Sequence, residues 1–399
     1  MENQVDLLLR HLDEHLLVEM TKELVRIPSY EGIKEQETKT AEHIRMLFER
    51  EGIDAYLDEV ADGRCNVYAG LSGTGGGKTL MLSGHMDTVS PDNHPGGLAP
   101  HVEGGVLVGR GVADMKGALA CMIGAMGALK RSGTRLAGDV LFVGAIDEEM
   151  KSLGTIDALE KGHRADGVII GEPTELQVHL AQRGLEWYEF TFTGKTVHGG
   201  RQRQGINAID KARKFMNAVL EELSPKVFER KHPLLVESTL NVAVIRGGTG
   251  LSTVPGLCKL YIDRRYLPGE AYEQVGLEFQ SIIDKLAAED PEFKCVMKPD
   301  ESAACKPGYL HVPFETPKGD PIVISARKAA KAVLGFDAEP EAHPAWTDAA
   351  LFSVYGKIPA IIMGPGAAAV CHSDYEYVPV EQLTGACLEY MLTALNFCV

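Results

Sequence analysis

The chain has 399 residues, 45% of them hydrophobic and 24% charged, the composition of a folded globular protein long enough for two domains. Its formal charge of −16 argues against nucleic acid or an anionic membrane as partner, yet a small anionic substrate held by a local field stays open. No apolar run nears the ~20 residues of a membrane span. The N-terminus lacks the regions of a secretory signal, and eight scattered cysteines fit free thiols in a reducing cytoplasm.

Periodic leucines predict a helix over 5–28, ended by Ile27-Pro28, and a second amphipathic helix over about 35–51. Strand-like runs follow at 65–70, 79–83, 140–145 and 168–170, with a small-residue helix over about 115–130 between the second and third. The glycines at 73–77 read as a flexible turn without the pattern of a phosphate loop. From about Leu185 the order changes to strand 187–193, helix 208–223, strands 239–246 and 258–265, helix 272–288 and strand 293–297. That β-α-β-β-α-β order is ferredoxin-like. After Pro299 the first pattern resumes, with a helix near 321–334, a strand at 360–363 and a closing helix over 380–397.

The expected fold is therefore α/β: a mostly parallel sheet flanked by helices, interrupted by a ferredoxin-like α+β insertion. The expected domains are 1–183 and 300–399, forming one discontinuous catalytic domain, and 184–299 as the insertion, with linkers near 181–184 and 298–304.

Ligands of open α/β sheets gather beyond the carboxyl ends of the strands. The run Leu141–Ile146 ends in three adjacent acids, Asp147, Glu148 and Glu149, which repel one another unless something positive lies among them. Other strands run into His85-Met86-Asp87, into Glu172-Pro173, and through Gly364-Pro365-Gly366 to His372. Asp114 stands at the start of the small-residue helix. Oxygen and imidazole donors without cysteine suit Zn²⁺, Co²⁺ or Mn²⁺. Asp114, Glu149 and Glu172 bring three negative charges, which two divalent ions with one hydroxide would neutralise and one ion would not.

The motifs SGHMDTV at 83–89, GRGVADMKG at 109–117, DEE at 147–149, GEPT at 171–174, GKTVHGG at 194–200 and GPG…CHSDYEYV ending at Val378 occur in this order. Together they resemble the di-zinc metallohydrolases that include acetylornithine deacetylase, succinyl-diaminopimelate desuccinylase, aminoacylase and glutamate carboxypeptidase. The resemblance implies that His85 and Glu172 hold one metal, that Glu149 and His372 hold the other, and that Asp114 bridges them. Asp87 would orient His85, and Glu148 would be the general base. Asp147 is left with a turn or supporting hydrogen bond.

By itself His198 reads as an exposed loop histidine. The resemblance makes it an oxyanion stabiliser delivered to a partner subunit, which implies a homodimer through the inserted lid and dimerisation domain. It makes Arg265 a clamp for a substrate carboxylate, beside Arg264 as a surface residue, and places Thr347 near the substrate. The segment Leu251-Ser252-Thr253 departs from the family, which commonly carries asparagine just before the position of Val254-Pro255.

The implied activity is hydrolysis of an N-acyl amino acid by a hydroxide shared between two divalent ions, most simply Zn²⁺. Alternatives are a di- or tripeptidase or carboxypeptidase with the same chemistry, and a non-catalytic binding homologue. A di-metal phosphoesterase finds no basic cluster beside the ligands.

Overall fold

The computed structural model describes residues 5, 8–92, 94, 96–301 and 304–399. Two compact units divide the chain: residues up to Ala181 with Phe314–Val399, and Gln182–Pro313.

The larger unit is built on a nine-stranded sheet. Its centre holds four strands in the order Val140–Ala145, Leu80–His85, Gly167–Ile170, Ala360–Ile362, all parallel. Antiparallel neighbours, Ala55–Ala61 with Arg64–Leu71 on one side and His179–Gln182 on the other, extend it. The central strands are apolar on both faces: Leu80, Met81 and Leu82 are at most 1% exposed. Strands read this way when helices cover both sides of a sheet.

One of those helices, Lys116–Arg131, has every residue from Lys116 to Leu129 buried. Its alanines and glycines let it lie close to the sheet while the helices Glu14–Arg26 and Val380–Phe397 pack against it. At ~25 cal/mol per Å² of apolar surface removed from water, burial of this layer stabilises the unit.

The first helix differs from the continuous one expected over 5–28. Asp13 adopts extended backbone angles and accepts a hydrogen bond from Leu16 N at 3.2 Å, so a capped helix begins afresh at Glu14 and runs to Arg26. The glycine patch at 73–77 is also not simply a flexible turn. A methyl on Gly73 or Gly77 would strike the backbone of Ala137 and Gly138, and Gly75 N donates to Ala137 O at 2.8 Å. At Gly73 and Gly77 two backbones meet with no room for a side chain.

The smaller unit holds a four-stranded antiparallel sheet in the order Thr239–Gly247, Leu257–Tyr266, Gly184–Thr193, Cys295–Pro299. This is the ferredoxin-like strand order. The helices Ala208–Ala218 and Tyr272–Glu289 contribute to the same core, in which Tyr188, Phe190 and Phe192 alternate inward and Phe190 meets Phe279 edge-on at 5.3 Å. The helix expected over 208–223 changes to a π turn at Val219–Leu223 before a last short helix, Ser224–Phe228.

Candidate metal centre

Because the four central strands run parallel, their carboxyl ends open on one edge of the sheet, and the acids and histidines of the larger unit gather there. His85 is the last residue of its strand, Asp147–Glu149 follow Ala145, and Glu172 lies two residues beyond Ile170. His372 arrives on the loop after Ala360–Ile362, with a left-handed φ of 58°.

Asp114 stands between the two histidines. Its Oδ1 lies 2.9 Å from His85 Nε2 and its Oδ2 3.0 Å from His372 Nε2. Glu172 approaches His85 Nε2 at 3.4 Å, and Glu149 approaches His372 Nε2 at 3.1 Å. Ligand atoms of His85, Asp114 and Glu149 lie within 4.8 Å of one another, as do those of His85, Glu148 and Glu172. His85 is buried, while the His372 side chain is 52% exposed.

The charges are out of balance. Burial, reinforced by Glu172, Asp348 and Glu149, raises the Glu148 carboxyl well above the ordinary range. Burial and the charge of Asp114 raise Glu172 to about 7, and burial raises Asp348 to about 6. Hydrogen bonds to Asp114 and Glu149 hold the His372 imidazolium up to about 10. Burial alone would raise Asp114, but the two histidines keep it ionised. Among the described residues no lysine or arginine forms an ion pair with Asp114, Glu148, Glu149 or Glu172. Oxygen and imidazole donors with unmet negative charge fit divalent ions.

The acids behind the centre are compensated. Asp87 accepts from Glu148 N at 3.2 Å and Glu149 N at 3.0 Å, and its Oδ1 lies 3.5 Å from His85 Nδ1. The carboxylate thus fixes the acidic turn, while the main-chain O of Asp87 meets the imidazole, 3.0 Å from His85 Nδ1. Arg64 Nη2 reaches Glu37 Oε1 at 2.5 Å and Asp147 Oδ1 at 2.7 Å, and Glu37 also accepts from Asp147 N at 3.1 Å. Asp147, at φ 70°, is therefore the pivot of the turn that presents the two glutamates. On the other side Arg110 Nη1 pairs with buried Glu376 at 2.8 Å. Lys116, buried and lowered to about 7 by desolvation, donates to Leu24 O and Ile27 O in the field of Asp87, Glu376 and Glu37.

Met115 wedges between the strand ends. Its sulfur accepts from His85 N at 3.3 Å, and a methyl on Gly84 or Gly171, the residues just before His85 and Glu172, would strike its Cε.

The profile of peptidase family M20/M25/M40 matches residues 81–396, which contain every residue of this centre. The chain belongs to this family. It is a metal-dependent hydrolase acting on amide bonds.

Its relatives in the family include an acetylornithine deacetylase from Myxococcus xanthus, 30% identical over 86% of this chain and 87% of that one. An N-formyl-4-amino-5-aminomethyl-2-methylpyrimidine deformylase from Halalkalibacterium halodurans is 27% identical over 98% of this chain and 96% of that one. Among solved structures, the aminopeptidase PepT from Bacillus cereus superposes with a TM-score of 0.80 at 22% identity, covering 98% of this chain and 100% of that one, and so shares the fold.

The remaining expected site residues of this M20/M25/M40 member are Thr347, His198 and Arg265. Thr347 is buried in the larger unit, and its Oγ1 accepts from Ala349 N at 3.2 Å. Its neighbour Asp348, not singled out from sequence, is a further acid of the centre: it accepts from Thr155 Oγ1 at 2.5 Å and its charge acts on Glu148. The smaller unit carries His198 and Arg265. His198 is exposed, accepts from Gly200 N at 3.1 Å, and pairs across a short ladder with Thr253 of the departing segment. Arg265 is held by Asp263 at 2.8 and 3.1 Å. Arg264 is no surface residue: alternation along the strand turns it into the core, where it meets Glu270 at 2.6 Å.

Proposed function

We propose that this enzyme is a di-metal amidohydrolase that cleaves the amide bond of an N-acyl amino acid. The observation that carries this reading is Asp114 set between His85 and His372, with Glu149 and Glu172 on either side and no lysine or arginine among the described residues to balance them. His85 and Glu172 would hold one ion, Glu149 and His372 the other, and Asp114 would be shared. Zn²⁺ is the first choice, with Co²⁺ or Mn²⁺ also suited to these donors. Bound there, the ions would polarise the scissile carbonyl and make water acidic enough to react.

Glu148 takes the proton of that water and returns it to the departing amine. Its carboxylate lies within 4.8 Å of the His85 and Glu172 ligand atoms, within reach of a water held beside them. Asp87 and the Glu37–Arg64–Asp147 group keep it aimed. We assign the smaller unit, near residues 184–299, to a lid and dimerisation role in a homodimer, with His198 stabilising the oxyanion in the other subunit and Arg265 binding the substrate carboxylate. The GKTVHGG segment and the exposure of His198 support that part.

A second reading follows from the deformylase relative and from the pairing of Arg265 with Asp263: a formyl group removed from an amine that carries no carboxylate. Hydrolysis of N-acetyl, N-succinyl and N-formyl amino acids, an N-formylated aminomethylpyrimidine and simple dipeptides, each with Zn²⁺, Co²⁺ or Mn²⁺, decides between them. Preference for the pyrimidine, with Arg265→Ala harmless, selects the second. Less than one tightly bound metal per chain, with no hydrolysis on adding any, defeats both.

A further inference from the structure

We propose that Glu376 is a positioning residue that locks the Asp114 and His372 segments together and thereby sets how tightly the centre holds its second ion. This rests on the di-metal reading. Glu376 is fully buried, four residues beyond His372. Its Oε1 accepts from Ala113 N at 2.9 Å and Asp114 N at 3.1 Å, and its Oε2 from Gly111 N at 3.0 Å and Arg110 Nη1 at 2.8 Å. Arg110 Nη2 continues to Ser373 O at 3.0 Å, next to His372. The main chain of Glu376 is tied too: its O accepts from Gly109 N at 3.2 Å and its N donates to His94 Nε2 at 2.9 Å.

The carboxylate thus replaces solvent for a loop that has no helix or strand of its own, and it does so at the backbone N of Asp114 itself. The two ends of the centre need different support. His85 sits on a strand and Glu172 just beyond one, at the sheet edge, whereas Asp114 and His372 sit on loops, His372 at a left-handed φ of 58°. A residue kept in that region persists where its surroundings over-determine it. One side chain supplies that for both loops.

An amide cannot replace the carboxylate. Glutamine offers one acceptor oxygen and would turn an NH₂ toward either Arg110 or the backbone donors. The shorter acid in Glu376→Asp would withdraw both oxygens by one methylene.

The experiment titrates Co²⁺ into metal-free wild type, Glu376→Gln and Glu376→Asp, reading stoichiometry, affinity and the visible cobalt spectrum, with melting of the metal-free proteins alongside. The expected result is one equivalent bound within threefold of wild type and the other weakened about 10–100-fold, with an altered spectrum for that equivalent. At saturating metal, kcat falls with KM within about twofold. Two equivalents bound as in wild type with an unchanged spectrum overturn the proposal, and so does equal weakening of both. If neither variant folds, Arg110→Met, which leaves the backbone donors in place, must show the same selective loss at smaller size, and its absence counts equally against the idea. Wild type that binds fewer than two Co²⁺ ions defeats the di-metal reading instead.

Discussion

The centre has two arms that are built alike and used differently. Each is braced by an arginine paired with a fully buried glutamate: Arg64–Glu37 behind the turn Asp147–Glu149, and Arg110–Glu376 behind Asp114 and His372. In the first arm the brace comes from outside, since Glu37 lies just ahead of the helix Thr38–Arg50, and it grips one pivot residue through both backbone and side chain. In the second the brace is part of the loop it holds, because Glu376 follows His372. On the proposed mechanism the first arm carries the group that moves a proton, and it is fixed twice, by Glu37 and by Asp87. The second would carry ligands alone, and His372 is its exposed end.

The sharpest way to break this contrast is Glu148→Gln. The substitution should lower turnover about 10³-fold while two metal ions remain bound, because the first arm loses its chemistry and the second is untouched. Near-normal turnover would sink the assignment of the base.

Arg64→Ala tests the brace. It leaves Glu37 and Asp147 buried without their cation, for an expected loss of about 3 kcal/mol in unfolding free energy. A denaturation midpoint equal to wild type would show that the turn stands without it.

The smallest effect is on pH dependence. Glu172 at about 7 and Asp348 at about 6 lie above the unfolded carboxyl range, so between about pH 4.5 and 7 the folded metal-free chain keeps protons that the unfolded chain has released. By themselves these carboxyls lower stability as pH rises through that window, while buried His179, His311 and His343, lowered to about 4, 4 and 3, raise it up to about pH 6.5. Above it His372, raised to about 10, lowers stability as pH rises and Lys116, lowered to about 7, opposes it. Metal binding is therefore expected to raise the melting temperature more at pH 8 than at pH 5.5, since the candidate ligands Glu172 and His372 must give up protons to hold an ion. Parallel melting curves for the two forms would contradict this account of the charge imbalance.

The gathering of these acids and histidines is legible in the sequence because strand ends in a parallel sheet converge whatever their spacing along the chain. His85, Glu149 and Glu172 each follow an apolar run, and periodicity alone marks where it stops. The braces are not legible. Glu376 meets Ala113 across 263 positions and Glu37 meets Asp147 across 110, and both act on backbone N–H groups, which every residue but proline possesses and no motif advertises. The strand Ala55–Ala61 is hidden for a related reason: at the sheet's edge it is mixed with acids and never fully apolar. Arg264 and Arg265 stand side by side in the sequence, yet a period of two sends one into the core and the other to Asp263.

Met115 gives the larger unit a property of a different order. Its thioether fills the gap that Gly84 and Gly171 leave, and its sulfur takes the N–H of His85. The helix Lys116–Arg131 also leans directly, through Leu119 and Ala118, on Gly84 and Gly171, the residues just before the candidate ligands His85 and Glu172. A bulkier side chain at Ala118 or Leu119, both fully buried, would press on Gly171 or Gly84 and so carry strain from the core to the backbone beside Glu172 or His85.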